Sequence, residues 1–216
     1  VDRLSETAKK FGLGKKVLDG FIEERSGVVP NTSWKKKFIG KNWYLGETLH
    51  SGIGQGYYQS TPLQLCLMTA QLANGGFELK PRLLVNEEKN NLREFIKYKN
   101  DNPNDPLPLD MLVSNFNLKP LFRNQENINF VKDAMYAATN EAGGTSYRSR
   151  LLDKKFMFAG KTGSSQIKKF TAEQRELEVK QKDLNYKDRD HALFVAFAPV
   201  KDPVSYTHLT LPTTRL

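Results

Sequence analysis

One cysteine in 216 residues leaves no disulfide to staple the fold. Cys66 sits within Leu63-Gln-Leu-Cys-Leu67, where it reads as a small packed apolar group and says nothing of the redox compartment. Histidine is nearly as scarce. His50, His191 and His208 lie far apart, with no cysteine or carboxylate at metal-ligand spacing, so no metal site and no cofactor is expected. No apolar run approaches the roughly 20 residues that a helix needs to cross a bilayer. The chain opens on Val1-Asp-Arg-Leu4 rather than on an initiator methionine with a signal peptide, and is expected to start partway through a longer protein.

Acidic residues are also in deficit: 24 Asp and Glu stand against 33 Lys and Arg, a formal charge of +9. Such a balance favours a polyanionic partner, nucleic acid or an anionic membrane surface, without identifying one. What is present suffices for an ordinary core, since 38% of residues are hydrophobic and the length fits one domain or a piece of a larger one.

The chain is organised around Phe156-Met-Phe-Ala-Gly-Lys-Thr-Gly-Ser-Ser-Gln166. Its apolar first half alternates as a half-buried strand does, then gives way to a cation, hydroxyls and glycines. Strand alternation puts the Thr162 and Ser164 hydroxyls on one face, Lys161 adds a point charge, and Gly160 and Gly163 allow close approach, a combination suited to gripping an anionic group. A surface turn that merely contains Lys and Thr is the competing reading. A nucleotide-binding P-loop is excluded, because the glycine it needs five residues before Gly160 is Lys155, and Phe156 to Phe158 fill the space of the loop.

Thr61-Pro62-Leu63-Gln64 is a capping box with proline at the first helical position, so a helix begins there. It runs buried to Ala73 and closes on Asn74-Gly75-Gly76 with a left-handed cap. The preceding Gly54-Gln-Gly56 lacks the strand and spacing of a dinucleotide site and reads as a tight, packed turn. A first helix carries Leu4, Ala8 and Phe11 and ends at Gly12 and Gly14. A short one spans Trp34 to Phe38, with Lys35, Lys36 and Lys37 as a solvated face, and Trp43 and Tyr44 follow in a loop. A later helix from Gln125 to Asn140 is expected to pack through Phe130, Val131, Ala134, Met135 and Ala138, and Glu141-Ala-Gly-Gly-Thr145 ends it. Residues 86–110 and 167–190 are expected surface excursions, with a solvated helix over 172–182. The apolar run His191 to Ala198 reads as a strand covered on both faces and antiparallel to the Phe156 strand. Residues 205–216 offer no sustained strand or helix period and read as a foreign, non-native tail.

The ordered series Trp34-Lys-Lys-Lys, Trp43-Tyr-x-Gly-Glu-Thr48, Gly54-Gln-Gly56, Thr61-Pro-Leu-Gln-Leu65, Leu72-Ala-Asn-Gly-Gly76, Ala159-Gly-Lys-Thr-Gly163 and His191-Ala-Leu-Phe-Val195 resembles the penicillin-binding protein 2 family, class B peptidoglycan transpeptidases of the bacterial elongation machinery. The resemblance runs from about residue 3 to residue 203. Lys-Thr-Gly alone is shared with all penicillin-binding proteins and serine β-lactamases. It implies an α+β fold of the penicillin-binding-protein/β-lactamase type, incomplete here: the C-terminal part of a transpeptidase domain over 1–204, mainly helices plus an antiparallel hairpin of about 156–166 with 191–199.

The implied chemistry is serine acyl transfer on D-alanyl-D-alanine stem peptides, with β-lactams trapped at the same serine. Lys161 would stabilise negative charge near the nucleophile and bind the terminal carboxylate, with the Thr162 and Ser164 hydroxyls. The Ser164 N–H would be an oxyanion-hole donor, and Gly163 would keep the strand open. The family's nucleophile lies in Ser-x-x-Lys, followed by Ser-x-Asn or Ser-x-Asp, both before the stretch that begins here. Ser33-Trp-Lys-Lys36 and Ser165-Gln-Ile-Lys168 match the first pattern in the wrong context, and neither is read as a nucleophile. The resemblance thus implies a chain that carries one wall of the site, is inactive alone, and derives from a protein anchored in the bacterial inner membrane with a periplasmic catalytic domain. The alternative is a basic helical module that binds polyanions through Lys35–Lys37 and the lysines between Lys168 and Lys187; with the family, no nucleic-acid partner is expected.

Overall fold

The computed structural model describes residues 1–18, 21–81, 98, 101, 120–167, 176 and 183–200, together with the backbone of 205–212. Among the described residues the main helices are α1 (Asp2–Lys10), α2 (Thr32–Ile39), α3 (Leu45–Gly52), α4 (Pro62–Ala73) and α5 (Glu126–Asn140). Strands β1 (Ala159–Ser165), β2 (His191–Ala198) and β3 (Ser205–Pro212) form an antiparallel sheet in the order β1-β2-β3. The expected hairpin is there, with Ala159 opposite Phe197 and Ser165 opposite His191.

α4 begins where its capping box places it: Thr61 Oγ1 accepts the Gln64 N–H at 3.2 Å, and Gln64 Oε1 accepts the Thr61 N–H at 3.1 Å. The Gln64 amide does more than cap. Fully buried, it donates to the Lys15 carbonyl at 2.7 Å and the Ser26 carbonyl at 2.8 Å, tying two distant loops to the helix start. Gln71, two turns on, donates to the Phe11 carbonyl and accepts the Leu79 N–H. Both buried amides are satisfied, as burial of such groups requires. Just after Gln71, α4 contributes Leu72 and Ala73 to a core that Ile128 and Met135 of α5, Ala159 of β1 and Phe197 of β2 complete. Phe197 is wholly buried, worth about 1.5–3 kcal/mol of transfer free energy.

Several expectations are corrected. Lys35 is not part of a solvated face: it is 1% exposed and pairs with both carboxylate oxygens of Glu47. Its ammonium lies 4.4 Å from the Tyr44 ring centroid, within an aromatic group that includes Trp43 and Tyr57. A lysine can be buried only when its charge is matched, and Glu47 comes from α3, a helix not anticipated beyond the Trp43-Tyr44 loop. At the start of that helix the Glu47 carboxylate accepts the Tyr44 N–H at 2.8 Å, and the Glu47 N–H donates to the Tyr44 carbonyl at 3.1 Å. Lys36 and Lys37 are exposed as expected.

On α5 Met135 is buried as expected, but its buried companions are Ile128 and Thr139, whereas Phe130 is 74% exposed. The helix is rotated from the expected face because Thr139 must meet β1. The strand itself begins at Ala159, not Phe156, since Lys154–Phe156 is a 3-10 turn with Phe156 exposed. β2 is central in the sheet, but only Ala196 and Phe197 are buried. The turn at Gly54 is tight without being packed, as nothing lies within 4 Å of a Cβ built there. The segment from residue 205 is also corrected in part: Ser205–Pro212 forms β3 along β2, where the open β2 edge offers unpaired backbone groups to an alternating Thr207-x-Leu209-x-Leu211 sequence. Apart from residues 98, 101 and 176, the 86–110 excursion and the 172–182 helix lie outside the described residues.

Candidate active site

β1 is anchored at its base and open along the rest. Ala159 and Gly160 are buried, while Lys161, Thr162, Gly163 and Ser164 are exposed. The anchor is a single hydroxyl. Thr139, wholly buried, accepts the Gly160 N–H at 3.0 Å and lies 3.3 Å from both the Gly160 and the Met135 carbonyl oxygens. One residue on, Asn140 Nδ2 donates to the Phe158 carbonyl at 2.9 Å. The end of α5 thus takes the place of a neighbouring strand for two residues and then stops.

That placement orients the remaining backbone. In an antiparallel strand successive residues turn their N–H and C=O alternately to either side. Gly160 directs its pair away from β2, toward Thr139, so Thr162 and Ser164 direct theirs to the same side, where β1 is a sheet edge. The Lys161 ammonium bends around this edge to donate to the Thr162 carbonyl at 2.9 Å and to Thr162 Oγ1 at 3.3 Å. A cation, two hydroxyls and an outward N–H therefore line one rim, the set that an anionic group would meet. The close approach at Gly160 is to β2 rather than to a ligand, which corrects the expectation for that glycine: the residue is buried, and a Cβ would lie 2.6 Å from Phe194 Cζ and 2.8 Å from the Val195 carbonyl oxygen.

Lys161, Thr162, Gly163 and Ser164 are thus together on one rim. Thr145, overlooked in the sequence, joins them: the Thr162 hydroxyl donates to Thr145 Oγ1 at 3.2 Å. No local pattern announces it, because Thr145 closes the turn after α5 and reaches Thr162 only through tertiary packing. Ser33 and Lys36 are exposed on α2, and Lys168 lies outside the described residues. Among the described residues no group of three His, Cys, Asp or Glu side chains could hold a metal ion, and no helix is long and apolar enough to cross a membrane.

Elsewhere, two carboxylates are held below their usual range. For Glu47 the main cause is the Lys35 hydrogen bond, and for Asp2 it is the Thr32 backbone N–H. Partial burial pushes the Cys66 thiol up. All three lie outside the rim.

Comparison with known proteins supplies the context of this rim. The chain is 31% identical over 203 residues to the peptidoglycan D,D-transpeptidase MrdA of Salmonella typhimurium, covering 94% of this chain and 30% of the relative. It is 32% identical over 204 residues to MrdA of Escherichia coli, covering 94% and 29%. The chain thus spans about three tenths of the length of these curated relatives. Among solved structures it is similar to penicillin-binding protein 2 of Pseudomonas aeruginosa, with a TM-score of 0.68 and 29% identity over 99% of this chain and 40% of that one. A complex between penicillin-binding protein 2 and MreC from Helicobacter pylori gives the same TM-score at 27% identity, over 97% of this chain and 31% of that one. With residues 1–215 matching the penicillin binding protein transpeptidase domain, the chain belongs to that family.

Proposed function

We propose that this chain forms the Lys-Thr-Gly wall of the active site in a peptidoglycan D,D-transpeptidase, and that the acylated serine comes from a preceding part of the parent protein. The open β1 rim carries this reading, because it offers charge, hydroxyls and a free backbone edge to one extended anionic substrate. Lys161 binds the terminal carboxylate of the D-alanyl-D-alanine stem peptide and stabilises negative charge beside the nucleophile. The Thr162 and Ser164 hydroxyls hydrogen-bond that carboxylate, and Gly163 leaves room for the peptide backbone.

The serine oxygen attacks the carbonyl of the penultimate D-alanine, the terminal D-alanine leaves as its amine, and an amine on a neighbouring strand then takes the acyl group. The Ser164 N–H meets the oxyanion formed at each step, and loss of one such donor typically lowers kcat by roughly 10²–10³-fold. β-Lactams, which also bear a carboxylate, bind along the same rim. The parent protein works at the inner membrane with its catalytic domain in the periplasm, beside elongation-machinery partners comparable to the MreC bound by the H. pylori relative. The burial of Lys35 against Glu47 removes one cation from the surface that the polyanion-binding alternative requires.

Fluorescent penicillin is the direct test. The parent protein should be labelled covalently and protected by unlabelled penicillin, and Lys161→Ala should abolish most of the labelling. The isolated 216-residue chain should remain unlabelled. A parent protein that takes no label, or an isolated chain that does, overturns the reading.

A further inference from the structure

The geometry points to Thr145 as a positioning residue for carboxylate recognition, acting through Thr162; this deepens the function proposed above and rests on it. A threonine hydroxyl has one proton to donate and two lone pairs to accept with. The Thr162 and Thr145 hydroxyl oxygens lie 3.2 Å apart, and the Lys161 ammonium donates to Thr162 Oγ1 at 3.3 Å. An ionised carboxylate only accepts, so its arrival claims the Thr162 proton. Thr162 Oγ1 then has a lone pair facing Thr145, and the Thr145 hydroxyl rotates to donate to it. With Thr145 donating to Thr162 Oγ1, the Thr162 proton is held on the carboxylate.

Thr145 is placed for this by rigid parts. The Ser146 N–H donates to the Ala138 carbonyl at 3.0 Å, and the Gly144 N–H to the Glu141 carbonyl at 3.0 Å, folding the turn back onto the end of α5. Only glycine fits at position 144, where a Cβ would stand 2.5 Å from the Ala138 carbonyl oxygen. α5 is in turn bound to β1 through Thr139 and Asn140. The separation of Thr145 from Thr162 is therefore set by the same contacts that set the strand, so little has to be ordered when the substrate arrives.

The test uses the full parent protein and compares second-order acylation by benzylpenicillin with that by its methyl ester, which lacks the negative charge. Thr145→Val, which keeps shape but removes the hydroxyl, should slow benzylpenicillin by roughly 3- to 10-fold, the worth of a neutral hydrogen bond, and leave the ester within about twofold. Thr145→Ser should restore the benzylpenicillin rate. An unchanged or raised benzylpenicillin rate in Thr145→Val overturns the inference, as does equal loss on acid and ester, or failure of serine to rescue. Failure of the unsubstituted parent to acylate would sink the proposed function, and the inference with it.

Discussion

Replacing Thr139 with valine should be among the most damaging isosteric changes in the chain. Valine fills the same volume, so no cavity opens, and the cost isolates the hydroxyl. That oxygen is the partner of the Gly160 N–H, and both residues are buried. Valine leaves the N–H without water or protein to bond, which costs about 1–3 kcal/mol, and the lost hydroxyl donor to a carbonyl adds about 1 kcal/mol before relaxation. A net loss of about 2–3 kcal/mol is expected, or a fall in Tm of roughly 5–10 °C for a domain of this size. Thr139→Ser keeps the oxygen and deletes one methyl group, a loss of about 1 kcal/mol. Urea unfolding of the three proteins, followed by far-UV circular dichroism, gives the ranking directly. Because the same hydroxyl fixes where β1 leaves α5, Thr139→Val should also slow penicillin acylation of the parent protein more than Thr139→Ser does. If valine proves no worse than serine in either assay, the hydroxyl does not anchor the strand and the account of the open rim is refuted.

Gly160→Ala should lose about 1–3 kcal/mol from overpacking against the Val195 carbonyl, which cannot move without disturbing β2, and differential scanning calorimetry would register it. Glu47→Gln should destabilise more than Lys35→Met, since the first strands a buried cation and the second leaves a carboxylate that still reaches solvent; denaturant midpoints decide the order. The Glu47 pKa is depressed in the folded state, so its contribution is present above the unfolded carboxylate value and disappears as pH falls through the folded one. A pH series of unfolding midpoints should therefore show a flatter acid limb in Glu47→Gln than in the unsubstituted protein. The Cys66 thiol, raised by burial, should react with iodoacetamide at mildly alkaline pH more slowly in the folded protein than in urea, and equal rates would refute this.

The parts of this fold legible from sequence are those whose causes are local. The Thr61–Gln64 box places the start of α4 because its two hydrogen bonds join residues three apart. The pairing of β1 with β2 was legible from the continuous hydrophobicity of His191 to Ala198, whereas the alternating Phe156-Met157-Phe158 that announced the first strand lies just before it. Lys35 was misread because Lys35-Lys36-Lys37 is locally uniform, and its counter-ion waits 12 residues away on a helix that was not foreseen. The face of α5 was misread for a related reason: its apolar residues outnumber the positions that the core accepts, and the polar Thr139 outcompetes Phe130 for burial by satisfying Gly160.

At the rim the division is similar. The residue types Lys161, Thr162, Gly163 and Ser164, and their alternation, follow from sequence alone, because covalent spacing along a strand decides which neighbours share a face. Whether that strand is an open edge, which way its N–H groups point, and that Thr145 stands beside Thr162 were decided by packing. These depend on where α5 ends against β1, a contact between residues about twenty apart in the chain, and no short-range pattern encodes it.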